Sequence, residues 1–285
     1  MLIGARTHDF GIGEALKFEE KLELIKNIGY ETIQLAPAKA LDEIPDIHSI
    51  EEKHIDSIKK ILYKVGLPVS VLGCYIEPSI NDKDLRLRNV DTFCKNIKYA
   101  KILGAKIVGT ETTHFPMSDL DNREKAYENL KDSVQRMAEV AEKEDIFIGV
   151  EPVAEHTINN SEIMRRLIDE VDSEKLKVIL DPANLILPNK INKQRKIFKE
   201  AIDQLGDYVV AVHAKNFVIV NGKKQMVSLE EGVIDFADIG NWVKENKSHI
   251  SILRENSSRV TDKKDIALMK ELFIESNYLR NYFLA

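Results

Sequence analysis

Two cysteines, one tryptophan and no long apolar run are what this 285-residue chain has least of. Cys74 and Cys94 stand in neither a redox nor a metal-type spacing, so they read as free thiols of a reducing cytoplasm, not as a disulfide framework. No stretch approaches the roughly 18 consecutive apolar residues of a membrane-spanning helix. The opening residues, MLIGARTHDF, carry no basic leader ahead of an apolar core and do not read as a signal peptide. No Ser/Gly-rich linker divides the chain, and a single domain over 1–285 is expected. An excess of positive charge is missing too: 41 Lys and Arg stand against 47 Asp and Glu, a net charge of −6. A nucleic-acid surface calls for the opposite balance, so the expected partner is a small molecule, with neither nucleic acid nor membrane.

What is present is an alternation. Short β-rich runs recur at 2–6 (LIGAR), 32–36 (TIQLA), 69–73 (VSVLG), 106–110 (KIVGT), 146–150 (IFIGV), 177–181 (KVILD), 209–213 (VVAVH) and 250–254 (ISILR). Between them lie segments of helical periodicity. In the clearest, about 122–143, Leu130, Val134, Met137 and Ala141 repeat at helical spacing and share one face. Others begin near Glu14, Ile50, Lys83, Ser161, Lys193, Phe236 and Asp262. Strand–helix alternation implies parallel pairing through right-handed crossovers. Nearly continuous apolar strands imply a sheet covered on both faces. Eight such units match a closed (β/α)8 TIM barrel better than an open doubly wound sheet. The open sheet would advertise a glycine-rich phosphate turn, whereas RTHDFGIGEAL offers only Gly11 and Gly13.

In such a barrel, chemistry collects at the carboxyl ends of the strands. The fifth run closes on Glu151 (IGVEPV), the sixth on Asp181 (VILDPAN), the seventh on His213 (VVAVHAKN) and the eighth on Glu255 (SILREN). Successive members are one βα unit apart, except that an added loop, NGKKQMVSLEEG, precedes the last. Taken singly, each has an ordinary reading. Asp before Pro caps a helix or starts a turn, and His after VVAV is a hydrogen-bonded core residue. Four at matching positions are harder to dismiss. Three carboxylates converging in a partly dry mouth repel one another unless a cation offsets them. With one imidazole they make an O/N donor set suited to one divalent ion, Mn²⁺, Mg²⁺, Co²⁺ or Zn²⁺.

At these residues the sequence resembles the xylose isomerase-like superfamily of TIM barrels, in particular its sugar phosphate isomerase/epimerase group. The marks are VEP at Glu151, LDPANL at Asp181, VHAKN at His213, EEGVIDFADIGNWVKE before the last strand (similar to a G-x-G-x-x-D-F element), and IQLAPAK. The resemblance spans essentially the whole chain. It implies metal ligands at Glu151, Asp181, His213 and Glu255, with Glu151 and Glu255 doubling as catalytic acid/base groups. Two departures touch the substrate. Asn184 stands where many epimerases have a histidine, and Lys215 follows the seventh strand where they have an arginine slightly further on.

The implied chemistry is proton abstraction from carbon next to a carbonyl, through an enediolate, on a sugar or sugar phosphate. By position at the active face, His8, Glu111 and His156 join Asn184 and Lys215 as candidate substrate-binding residues, Lys215 for a phosphate or carboxylate. His114, further into a loop with Pro116, is a weaker candidate. Trp242 reads as packing and Cys74 as a small buried apolar group. A metal-dependent dehydratase acting on an inosose-type keto-polyol shares the same first step, and a sugar-binding barrel without turnover is the non-enzymatic alternative. An apurinic-site endonuclease would need more histidines than the seven present. The C-terminal aromatics Tyr278, Tyr282 and Phe283 suit either a homo-oligomer contact or a cover over the barrel's own base.

Overall fold

The computed structural model describes residues 1–11, 16–115 and 122–275. Eight parallel strands close into a barrel: β1 (Leu2–Arg6), β2 (Thr32–Leu35), β3 (Val69–Gly73), β4 (Ile107–Glu111), β5 (Phe147–Glu151), β6 (Leu176–Leu180), β7 (Val209–Ala214) and β10 (Ser251–Arg254). β10 closes the ring between β7 and β1. The helices outside are α1 (Phe18–Ile28), α2 (Pro37–Ala40), α3 (Glu52–Val65), α4 (Lys83–Leu103), α5 (Arg123–Glu144), α6 (Ser161–Val171), α7 (Pro182–Leu185), α8 (Gln194–Leu205), α9 (Ala237–Asn246) and α10 (Asp262–Phe273). All eight expected runs are barrel strands, with ends shifted by a residue at most. The start expected near Glu14 and the aromatics Tyr278, Tyr282 and Phe283 lie outside the described residues.

Local chemistry explains the elements. On α5 the Leu130, Val134, Met137 and Ala141 stripe is fully buried against the barrel. α1, α3 and α4 stop at Gly29, Gly66 and Gly104, whose positive φ lets the chain turn off each helix. Trp242 on α9 packs over Gly206. No helix among the described residues is long and apolar enough to cross a membrane.

One expectation needs correcting. The added loop after the seventh strand is a β-hairpin, β8 (Asn216–Val220) paired antiparallel with β9 (Lys223–Val227). Asn221-Gly222 makes its turn, both residues at positive φ (51° and 75°). Asn-Gly between strand-forming residues is the strongest short-range hairpin signal.

Two layers of apolar side chains matter for the site. The larger core lies between strands and helices. The smaller one fills the barrel interior with Val71, Ile107, Ile179, Ala211 and Leu253. Gly109 and Gly149, opposite each other on β4 and β5, leave room for Ile179, since a Cβ on either would sit 2.8 Å from that side chain. Alternate residues of a strand face the same way. The next inward position above Gly149 is therefore Glu151, above Ile179 Asp181, above Ala211 His213, and above Leu253 Glu255. The packed interior ends where the polar mouth begins.

Candidate metal centre at the barrel mouth

Glu151, Asp181 and His213 are at most 2% exposed, and a ligand atom from each lies within 4.8 Å of the other two. His213 Nδ1 is 2.9 Å from Glu151 Oε2, 3.5 Å from Glu255 Oε1 and 3.9 Å from Asp181 Oδ2. None of these contacts is an aligned hydrogen bond, so the nitrogen faces three carboxylates without bonding one. The other ring nitrogen is occupied: His213 Nε2 lies 2.6 Å from Gln34 Oε1. An amide oxygen only accepts, so the proton of a neutral ring sits on Nε2 and the Nδ1 lone pair points into the cluster.

The two oxygens of Asp181 face different ways. Oδ1 accepts from the Asn184 amide at 3.0 Å, capping the short helix α7. Oδ2 turns to the mouth, 2.7 Å from Lys215 Nζ, again without an aligned hydrogen bond. Asn184 also donates through its side-chain amide to Glu151 Oε1. Glu255 Oε2 is bracketed by Lys215 at 2.8 Å and Arg6 at 3.2 Å. Behind it the buried Arg254 pairs with Asp265 at 2.8 Å and donates to the Glu255 carbonyl, fixing the strand end.

The electrostatics follow from burial and from these pairings. Burial opposes charge on every member. On Glu151 the His213 imidazole outweighs burial, and the carboxyl is held below its ordinary value. On Glu255 the Lys215 amine, His213 and Arg6 hold it far below. Asp181 goes the other way, pushed up to about 6 by burial despite Lys215. The His213 imidazole is lifted to about 9, because Glu255 and Glu151 outweigh the cost of burying its charge. Without an ion, three buried acids are thus answered by Lys215, Arg6 and a protonated ring, whose Nδ1 proton a bound cation would displace. The donors fit a divalent cation: hard oxygens, one borderline nitrogen, and a buried nitrogen and oxygen lacking aligned partners.

The remaining expected residues lie around this cluster. Glu111 closes β4, its carboxyl pushed up to about 7 by burial and then by Glu151. Its Oε2 is 3.8 Å from His156 Nδ1, and burial lowers the His156 imidazole. His8 lies in the short turn after β1, its imidazole lowered to about 3 by burial and by Arg6 and Lys39. Lys215 is 7% exposed, with its amine committed to Asp181 and Glu255. His114 is exposed and bridges to His156, while Pro116 falls outside the described residues.

Four mouth residues escaped the reading of strand ends five to eight. Arg6 closes β1, and Gln34 is the lone amide inside the apolar run TIQL. Tyr75 follows β3 and accepts from Gln34 Nε2. Lys39, on α2, lays its amine 4.0 Å from the Tyr75 ring. The signal was available. Applied to the first three strands, the same two-residue alternation leads to Arg6, Gln34 and, through Gly73, Tyr75.

Residues 22–272 match the family model described as xylose isomerase-like TIM barrel. No curated protein matches the chain. Among solved structures it is similar to a D-tagatose 3-epimerase-like protein, with TM-score 0.77, 15% identity, and 100% of both chains covered. It is similar also to 3-keto-D-glucoside 4-epimerase, YcjR, from E. coli, with TM-score 0.74, 17% identity, and 95% of this chain and 99% of that one covered. A third is the IOLI protein with a bound zinc atom, with TM-score 0.72, 17% identity, and 95% and 96% covered. At such identities the likeness establishes a common fold.

Proposed function

The chain belongs to the xylose isomerase-like TIM barrel family, and from that premise we propose that it is a divalent-metal-dependent sugar or sugar-phosphate isomerase or epimerase. The observation that carries this reading is His213 Nδ1, buried, bare of an aligned hydrogen bond, and turned toward Glu151, Asp181 and Glu255. These four side chains would hold the ion. When bound, it supplies Lewis acidity to the substrate's carbonyl and neighbouring hydroxyl oxygens.

The chain's own residues then have distinct tasks. Glu151 ends β5 and Glu255 follows β10, three strands apart around the ring, and so they flank a substrate lying across the mouth. Their environments keep both ionised, ready to accept a proton from carbon next to the carbonyl. One carboxylate taking the proton and the other returning it on the opposite face inverts a carbon. One carboxylate moving it between neighbouring carbons interconverts aldose and ketose. Each positioned transfer contributes roughly 10² to 10⁴ in rate. Asn184 holds Glu151, and Lys215 with Arg6 holds Glu255, so the base oxygens keep their aim. His8, Glu111 and His156 line the approach as partners for substrate hydroxyls.

The test is proton exchange. Protein loaded with manganese is incubated in deuterated water with a panel of ketoses and inososes, and exchange next to the carbonyl is followed by magnetic resonance on the chelated, metal-free samples. Exchange accompanied by an epimer or isomer supports the reading, and Glu255→Gln is expected to abolish it while metal remains bound. Exchange with loss of water would move the chain to the dehydratases. No exchange with any member, metal bound, would leave a sugar-binding barrel.

A further inference from the structure

We propose that Lys39 and His8 form a subsite, on the β1–β2 side of the mouth, for an anionic group (a carboxylate or a phosphate ester) carried by the polyol substrate. This rests on the polyol reading above and adds to it where the substrate's charge must lie.

The other cations around the mouth are already engaged. Arg6 lies 2.7 Å from Asp9 and 3.2 Å from Glu255. Lys215, the residue the sequence offered for a phosphate or carboxylate, is held at 2.7 Å by Asp181 and 2.8 Å by Glu255. Lys224 of the hairpin donates to the Ala183 carbonyl at 2.7 Å. Lys39 differs. No carboxylate of the described residues comes within 4.0 Å of its amine, which rests instead 4.0 Å from the Tyr75 ring centre. An exposed rim lysine is ordinarily just solvated. Here an aromatic face steadies the amine, and Arg6, Glu255, Asp9 and Glu111 all act on it electrostatically, so it belongs to the mouth.

His8 supplies the second element. Its Nδ1 is buried and has no hydrogen-bond partner among the described residues, so it is open to a ligand or a water that completes it. The turn that carries it, Thr7–Asp9, packs on α2, which carries Lys39. Thr7 Oγ1 donates to the Gln34 carbonyl at 2.8 Å, tying that turn to the end of β2. Lys39 and Arg6 both act on the imidazole, so an anion here would meet an ammonium, a ring nitrogen and a nearby guanidinium.

The opposite wall would repel the same group, since Glu151 closes β5 and Asp181 follows β6, across the ring from β1 and β2. The substrate's orientation follows: charged end toward β1 and β2, reacting carbonyl toward His213. Tyr75 links the two ends of this arrangement, bearing on Lys39 with its ring and on Gln34, the partner of His213, with its hydroxyl.

The experiment is titration calorimetry on the full chain loaded with manganese. D-fructose serves as the neutral probe, with D-fructose 6-phosphate and 5-keto-D-gluconate as the phosphate and carboxylate arms. At least one anionic probe is expected to bind about tenfold or more tighter than fructose, the scale of a hydrogen bond to a charged group. That preference should shrink as salt is added. Lys39→Met should remove most of it while leaving manganese and fructose affinities unchanged, and His8→Asn should lower the anionic preference with manganese affinity unchanged. Lys60→Met, which deletes the same charge from an exposed site on α3, should retain it. Which arm gains identifies the anion. Equal binding of neutral and anionic probes overturns the subsite but leaves the polyol reading standing. A preference that survives Lys39→Met, as it would if the anion sat on the metal, overturns it too. Failure to bind any polyol with manganese in place removes both.

Discussion

Gln34 Oε1 lies 2.6 Å from His213 Nε2 and thereby selects which nitrogen of the ring faces the acids. The amide's other end donates to the Tyr75 hydroxyl, which steadies the side chain. Groups that orient a metal-binding histidine typically govern affinity by 10–100-fold. Gln34→Leu is therefore expected to weaken manganese binding by about that factor in a competition titration with a chelating dye. Unchanged affinity would mean that the ring finds its tautomer without help.

Asp181 separates stability from metal binding through its two oxygens. Asp181→Asn keeps an oxygen to cap α7, so its denaturation midpoint should stay near that of the wild type while metal binding falls sharply. Asp181→Ala loses the cap as well and should be less stable than the Asn variant by about 1 kcal/mol. Chemical denaturation of both metal-free variants, beside their metal titrations, checks the split.

Arg254 and Asp265 form a pair 2.8 Å apart, each side chain 1% exposed. Removing one partner of such a pair strands a buried charge, at a cost of about 3–5 kcal/mol. Asp265→Leu should lower stability by that amount, with the Glu255 strand end disturbed. A double variant replacing Arg254 with Met should recover part of the loss. Urea titrations of the single and double variants measure both.

His8 gives a pH dependence with a defined sign. Its folded value, lowered to about 3 mainly by burial, lies below the ordinary 6.5. Below pH 6.5 the unfolded chain takes up a proton that the folded chain refuses until near pH 3. The native state is thus penalised progressively as pH falls through that window, and the neutral ring's contribution is fully present only above it. His8→Gln should flatten this part of the profile. Urea midpoints of metal-free wild type and variant, compared between pH 7 and pH 4, should diverge on the acid side.

Much of the fold was readable because barrel strands and their helices are local patterns. Nearly continuous apolar runs and stripes like Leu130–Val134–Met137–Ala141 depend on near neighbours alone. Glu151, Asp181, His213 and Glu255 were readable for a related reason: a carboxylate or imidazole ending a buried strand conflicts with its surroundings unless something beyond it requires charge. The hairpin at Asn221-Gly222 is equally local, because Asn-Gly takes the positive φ that its turn requires.

Pairing across the ring was decided by the tertiary structure. Nothing adjacent to Lys215 in the chain reveals that its amine ends between Asp181 and Glu255, or that Arg6 reaches the Glu255 carboxylate. Nor does TIQL announce that Gln34 will meet a histidine 179 residues away. The alternation along each strand sets which side chains point inward. Closure of the eight strands sets which inward side chains touch, and so which charges remain free to meet a ligand.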